Sequence, residues 1–580
     1  MVTQDQKLKT LVTSRQSKLE TDKTNFNDRM QEVADFVSPH RDDIRGNRKV
    51  GGEKKGTKIF DGTAVSAAVL ATDGIHGYHV SPAFAWFKYE MNRKQVNTMP
   101  EVREWLDEIE FNMYMALNRS NFYNEMWSFI YDGFTLGTAA MIAEEDIAKG
   151  RIFFEAVHPG EIYIAENQHG EVDVLHRKRM LTAKQMVEKF GRDNCPIMVG
   201  QAYDTNPFTM FEVIHAVFPR EEYDTRKRDG KNKPFASVWL MTQGNHICKE
   251  DGFKTFPYHV WRYLKTGKEP YGVSPAILAM ADIKGLNLMA KTLLGAAQLA
   301  VDPAYNVPSY LSGKVQLKPR GLNYINPGTT DKISAINTGA NFPIGIDREQ
   351  AKQKSIRERF HVDTFLMLAS LEGRGQRTAY EVSELMAEKA AVLGAELGSF
   401  NASLGNILES VYEIENQSSN PRMPPPPDAL LEMAGSDPSL RFDPVYMGPL
   451  AQAQRERFSK DGVRKFMLEL RPLIDLQMAA AGSSEVLDNF DLDEAGRILA
   501  DSNRVPAAVI RPETTVAKIR AGRAMAQQQA SQQQDAQAIL QVLKTASEAD
   551  KNSGGKLSEA LQGAMPPGGV RSRALPSKEV

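Results

Sequence analysis

Between Ser274 and Ala300 the chain carries a run of small residues, Ala276, Ala279, Ala281, Gly285, Ala290, Gly295, Ala296, Ala297 and Ala300, with no proline after Pro275. Such a run folds as a helix that neighbours approach closely, because side-chain bulk sets the distance between packed helices. Its polar residues Lys284, Asn287, Lys291 and Gln298 recur at i, i+3, i+7 and i+14, one stripe, while Ile283, Leu286, Leu293 and Leu294 lie mainly on other faces. One side packs and one is wet. The stretch from VDPAYNVPSY to GLNYINPG after it is rich in Pro, Gly and Asn and holds only short strands and turns. A second helix, Asp347 to Leu371, comes next. Two helices with an irregular tip make a long hairpin, and the tip is a candidate interaction surface.

The rest of the 580 residues, 42% of them hydrophobic, is enough for several subdomains with cores of their own. A helix is expected up to about Phe36, stopped by Pro39. A basic, glycine-rich loop follows from Arg45 to Lys58, and then a helix from Thr63 to Ala71, capped by Asp61 or Thr63. Pro100 to Asn118 and Asn121 to Leu136 read as helices whose aromatics pack a core. From Arg151 to Lys178 the pattern turns to β, and the segments RIFFEAVH, EIYIAE and EVDVLHRK suggest one small antiparallel meander. Strand-like pieces recur at Met210 to Phe218 and Ala236 to Met241, around the basic turn DTRKRDGKNK. After a basic loop at Glu372 to Arg377, Thr378-Ala379-Tyr380-Glu381 fits a capping box that starts a helix to about Glu413. Asn416 to Pro427 breaks it, and the chain to about Ala549 reads as mostly helical, including AQQQASQQQDAQ. The fold class expected is α+β, predominantly helical.

Chemistry is harder to find. Lys plus Arg (71) nearly balance Asp plus Glu (73), which argues against a protein that coats nucleic acid; any DNA contact should be local or fleeting. Cys195 and Cys248 stand far apart in sequence with no CxxC, so a reducing cytoplasm is expected. The polar start MVTQDQKLKT and the lack of about 18 consecutive apolar residues argue against export or a membrane span. GGEKKGTK, from Gly51 to Lys58, places Thr57 before Lys58, the reverse of a phosphate loop, and reads as a solvated basic loop. His76 and His79 with His40 lack a third metal ligand at recognisable spacing. GVSPA around Ser274 lacks the second glycine of a nucleophile elbow, and Glu144, Glu145 and Asp146 read as a solvated turn between helix and strand. No catalytic set, metal or cofactor is expected.

Six segments nevertheless match a known family in order: Ile59 to Glu90 (IFDGTAVSAAVLATDGIHGYHVSPAFAWFKYE), Tyr131 to Asp146 (YDGFTLGTAAMIAEED), Phe154 to Lys178, EPYGVSPAILAMADIKGLN, QRTAYEVSELMAEKAAVLG, and Val445 to Arg455 (VYMGPLAQAQR). Over about residues 20 to 540 the chain resembles the portal, or head-to-tail connector, proteins of short-tailed bacteriophages. The resemblance implies a homo-oligomeric ring, usually of twelve subunits, at one vertex of the capsid, through which double-stranded DNA is packaged and later ejected. It also implies a virion protein, assembled in the host cytoplasm, without enzymatic activity. Its partners would be the terminase packaging motor, tail adaptor and tail tube proteins, and the major capsid and scaffolding proteins. On this plan residues 1–273 are the α+β wing, 274–300 the first stem helix, 301–346 the clip, and 347–371 the second stem helix. Residues 372–377 are then the tunnel loop, 378–440 a long wing helix with the proline-rich break, 441–549 a helical crown and 550–580 a mobile tail.

The plan supplies candidate site residues. Arg374 and Arg377, with Gln376 beside them, would meet DNA phosphates from the tunnel loop, or else pair with wing acids. Lys284 and Lys291 would line the channel, or else form a solvent-facing stripe or salt bridges between subunits. Lys314, Lys318 and Arg320 would lie on the clip's docking surface. The competing readings are a DNA-processing enzyme and an internal virion or scaffold protein.

Overall fold

The computed structural model describes residues 4–41, 44–45, 54–224, 226–227, 229–307, 313, 315, 333–335, 342–371, 394–417, 421–448, 470–471, 493, 495–497, 511 and 513–552. Contacts divide the chain into two units, Met1–Ser502 and Asn503–Val580. In the second, the glutamine-rich piece lies within a single 40-residue helix, Glu513–Asn552. All the other described helices and strands belong to the first.

Helix α1 (Gln4–Phe36) ends where Pro39 opens a 3-10 turn. Its first half lays Val12 on Ile214, Ala216, Phe218 and Val238, and its second half sends Met30, Val33 and Ala34 into the main core. α2 (Thr63–His79) runs a full two turns beyond the expected Ala71. β1 (Phe87–Met91) and α3 (Lys94–Asn97) lead into α4 (Pro100–Arg119) and α5 (Phe122–Leu136), which start and stop within a few residues of the expected bounds. Their aromatics build the core as expected, with Phe122 and Phe129 fully buried.

The meander expected over Arg151 to Lys178 is in fact divided between two antiparallel sheets. β3 (Arg151–Val157) pairs with β2 (Thr138–Asp146), which also pairs with β9 (Tyr258–Arg262), in the order β3-β2-β9. β4 (Ile162–Glu166), β5 (Val172–Thr182), β6 (Met210–Pro219), β7 (Phe235–Met241) and β8 (His246–Phe253) form a separate sheet in sequence order. The split has a local cause. After β3 the chain enters a 3-10 turn, Pro159–Glu161, held by His158 Nδ1 accepting from Gly160 N at 3.1 Å and by the buried Lys23 ammonium donating to Pro159 O at 2.6 Å. The turn sends β4 away instead of folding it back. Glu144, Glu145 and Asp146 accordingly sit on β2, opposite Phe153, Ile152 and Arg151, and not on a turn. α6 (Ala183–Phe190), opened by a capping box of Thr182 and Gln185, and α7 (Ile197–Thr205) pack on the larger sheet through a small core that includes Met186, Phe190 and Trp239.

β3 is an edge strand, and three of its outward backbone groups are occupied by side chains. Asn121 exchanges two hydrogen bonds with the Phe154 backbone, 2.7 Å to its O and 2.9 Å from its N, and Glu125 accepts from Ala156 N at 2.9 Å. Side chains of α5 and its N-terminal flank thus stand where another strand would pair.

The expected first stem helix divides into α8 (Pro275–Leu278) and α9 (Met280–Val301). The expected second one begins earlier and breaks: α10 (Phe342–Arg359) and α11 (Val362–Leu371) are separated at His361, whose φ is 55°. Burial is the physical reason. Phe360, Val362 and Phe365 all turn inward, and the Phe365 ring lies 2.4 Å from where a Cβ on Gly74 would stand, so α11 lies directly on α2. The helix expected to start at Thr378 is described only as α12 (Gly394–Gln417), followed by α13 (Asp428–Ser436). The stretch expected as a helical crown from 441 opens with a strand, β12 (Phe442–Tyr446), paired to β1. Aromatic packing draws it there: Phe442 meets Tyr89 and Trp105 edge-on, and Tyr446 stacks on Trp86.

The start of α8 is keyed into the end of α5. Gly137 closes α5 with φ 83°, and a Cβ there would meet Gly272 O at 2.4 Å; a Cβ on Gly272 would meet Gly137 O at 2.2 Å. Around this contact Gly272 N donates to Thr138 Oγ1 (2.8 Å), and Ser274 Oγ donates to Thr135 O (2.6 Å) while accepting from Ile277 N (3.0 Å) to cap α8. Because the obstacle is a backbone carbonyl, Gly272→Ala should destabilise the fold by about 1–3 kcal/mol, the usual cost of overpacking. A lowered thermal midpoint for the variant is expected, and an unchanged one would mean that the two backbones move apart freely.

Candidate functional site

The two helices of the hairpin interlock by size before charge. Gly285 faces the Lys352 stem, where a Cβ would touch Cε at 3.4 Å, and Gly345 faces Leu293, where a Cβ would stand 2.7 Å from Cδ2. Lys352 Nζ donates to Asp282 Oδ1 at 2.8 Å and Ser355 Oγ to Asp282 Oδ2 at 3.0 Å, which holds the Asp282 carboxyl below its ordinary range. The register is antiparallel, with 282 against 355, 285 against 352 and 293 against 345. It continues outward into β10 (Tyr305–Asn306) and β11 (Ser334–Ala335), paired Tyr305 to Ala335 and Asn306 to Ser334. Both ends of the Asp282–Lys352 pair are about one-third exposed, so it contributes at most about 1 kcal/mol; close packing holds the helices together more than charge does.

Among the described residues of the hairpin, burial is confined to the base. In α9 the buried residues are Met280, Ile283 and Leu286, whereas Leu288 is 65% exposed, Leu294 53% and Val301 88%. Three members of the polar stripe expected on this helix, Lys284, Asn287 and Lys291, face other parts of the same chain. Lys284 pairs with Glu32 of α1. Asn287 Oδ1 accepts from Phe60 N (2.6 Å) and its Nδ2 donates to Lys58 O (2.8 Å). The Lys291 ammonium lies 5.3 Å over the Phe60 ring. From α10, Gln353 Nε2 reaches Asp61 Oδ2 (3.0 Å), while Asp61 Oδ1 accepts from Thr63 N (2.8 Å) at the start of α2. Asp61, one of the two capping residues expected, thus serves α2 and α10 together.

Lys314, Lys318, Arg320, Arg374, Gln376 and Arg377 lie outside the described residues. Asp61, Asn287 as a backbone clamp, Gln353 and Gly345 were not singled out as site residues by sequence, although Ile59 to Gly62 opens the first family-like segment. Ser274, in GVSPA, is a helix cap. No cluster of three or more metal-ligating side chains occurs among the described residues, and no described helix is long and apolar enough to cross a membrane.

The histidines of α2 are held by polar partners. His76 Nε2 faces Tyr123 O at 3.0 Å, and the buried His79 has Asn401 Oδ1 at 2.6 Å from Nε2. Burial pushes the pKa of His79 down to about 4, and does the same to His259 (about 4) and, with Arg15 nearby, to His176 (about 3). Below the ordinary value of about 6.5 the unfolded chain takes up protons that these folded imidazoles refuse, so each removes about 1.4 kcal/mol of stability per pH unit. Asp132, buried beside Arg41 and raised to about 7, works in the opposite direction as a single group. The thermal midpoint should therefore be highest above pH 6.5 and fall steadily toward pH 4. A midpoint flat across that interval would show that these imidazoles are open to water.

A family model described as "Bacteriophage head to tail connecting protein" matches residues 9–510. The chain is similar to a "Probable portal protein" of Bordetella phage BPP-1, 29% identical over 532 residues, covering 90% of this chain and 92% of the relative. It is also similar to a "Portal protein" of Salmonella phage epsilon15, 27% identical over 572 residues, covering 95% and 97%.

Proposed function

The chain belongs to the bacteriophage head to tail connecting proteins, and from that premise we propose that it is the subunit of a portal ring. Identical copies close around an axis at one capsid vertex, twelve in the family's usual form, and the axis is the channel for packaging and ejecting double-stranded DNA. The observation that carries this reading is the α9–α10 hairpin. α9 has 22 residues, about 33 Å of helix at about 1.5 Å per residue, and is buried only at its base. Its outer apolar residues Leu288, Leu294 and Leu299 face solvent in one subunit and would be covered by the hairpin of the next.

In this reading α9 and α10 are the stem, and the segment between them is the clip, where terminase and then tail adaptor or tail tube proteins dock, with Lys314, Lys318 and Arg320 on the docking surface. The tunnel loop follows α11 and offers Arg374, Gln376 and Arg377 to phosphates, a weak contact multiplied by the subunit number. Lys284 and Lys291, engaged by Glu32 and Phe60 within the subunit, are secondary candidates for the channel lining. The protein is a virion component with a structural role, assembled in the host cytoplasm alongside capsid and scaffolding proteins, and the energy for packaging comes from the motor.

Native mass spectrometry with electron-microscope class averages tests the ring: a closed particle near twelve copies of the 64.6 kDa chain with a central hole is expected. A protein that stays monomeric even with capsid and scaffolding proteins present would refute it. For the tunnel loop, the Arg374→Ala, Arg377→Ala double variant should retain less DNA per capsid than wild type; equal retention would assign both arginines to pairing with wing acids.

A further inference from the structure

We propose that the turn Lys58–Asp61 is a strap that sets the angle at which the α9–α10 hairpin leaves the body, and that Asn287 is its positioning residue. The role of the hairpin in a ring rests on the portal reading; the strap itself is a property of one subunit.

The hairpin is held by the body only near its base. Burial along α9 stops at Leu286, and among the described side chains of α10 the last buried one toward the tip is Ile356. Asp282, Lys352 and Ser355 join the two helices to each other and not to the body. Asn287 lies one residue beyond the buried base, at the fulcrum. Asparagine is a poor helix former, because its amide competes for backbone groups. Here that tendency is used across the chain: one side-chain oxygen and one side-chain nitrogen grip the N–H of Phe60 and the C=O of Lys58.

The same turn is held from three other directions. Gln353 of the second helix takes Asp61, Lys291 covers the Phe60 ring, and Lys58 Nζ donates to Asp35 of α1 at 2.6 Å. Both hairpin helices, α1 and the start of α2 therefore meet on four residues. Tilting the hairpin in any direction stretches one of these contacts. A ring makes such control necessary, because a small tilt shared by every subunit changes whether the circle closes.

Pulsed electron paramagnetic resonance reads the angle directly. Nitroxides are placed at Ala297→Cys on α9 and Glu104→Cys on α4, both exposed, with Cys195→Ser and Cys248→Ala removing the native thiols, and labelled chains are diluted into unlabelled ones. The otherwise native chain should give one narrow distance. Asn287→Ala favours the helix itself, so loss of the narrow peak in that variant reports the strap and not unfolding of α9. Asn287→Asp keeps an oxygen to accept from Phe60 N but loses the donor to Lys58 O and sets a carboxylate oxygen against it, so this variant should also lose the narrow peak. A narrow, unshifted peak in Asn287→Ala overturns the proposal. Since the distance is read within single subunits, a native chain that shows the narrow peak yet never forms a ring keeps the strap and removes the ring.

Discussion

The contact that the rest of the first unit depends on is the one between two backbones at Gly137 and Gly272. Neither position has room for a single carbon more, and each carbonyl occupies the place of the other's missing side chain. Everything from β2 to β9, including the five-stranded sheet and α6–α7, is an excursion of the chain that departs and returns through this point, with Thr138 and Gly272 joined across 134 positions of sequence. The entropy of closing so long a loop grows only slowly with its length, so a well-packed seam suffices to hold it. The seam also carries direction. It ends α5, begins β2 and launches α8, and α9 inherits its heading from there.

A second constraint joins the two sheets within that excursion. Arg177 of β5 reaches Glu155 of β3 at 2.8 Å and Glu161 at 3.0 Å while only 5% exposed. Burial works against Glu155 ionising, and the neighbouring guanidinium overrules it, leaving the carboxyl below its ordinary range. Replacing such a network with hydrocarbon often costs nothing, whereas removing one partner strands a buried charge. Its contribution here is orientation: a planar fork facing two carboxylates accepts few angles between the sheets.

Much of this was legible in the sequence where the signal is local. The helices α1, α4 and α5 followed from amphipathic spacing and proline stops, and the hairpin from a small-residue run followed by Pro, Gly and Asn. What could not be read is pairing between distant segments. RIFFEAVH has the pattern of a strand, but nothing in it says that its partner is the alanine-rich TAAMIAEED before it and not EIYIAE after it. The break at His361 has no Gly or Pro to announce it, because it arises from where Phe360 and Phe365 are drawn in the core. At the site, the stripe Lys284, Asn287 and Lys291 was visible as a period; its partners, Glu32, Lys58 and Phe60, lie more than two hundred residues away.

The closed edge of β3 has a bearing on life at high concentration. Where many copies of one chain gather, any strand with free N–H and C=O groups is a template for the next copy, and templated growth has no natural end. Asn121, offering both halves of an amide to Phe154, imitates a peptide group that belongs to no further strand. The border is thereby closed at Phe154 and at Ala156 N, which takes away three of the groups on which a further strand would grow.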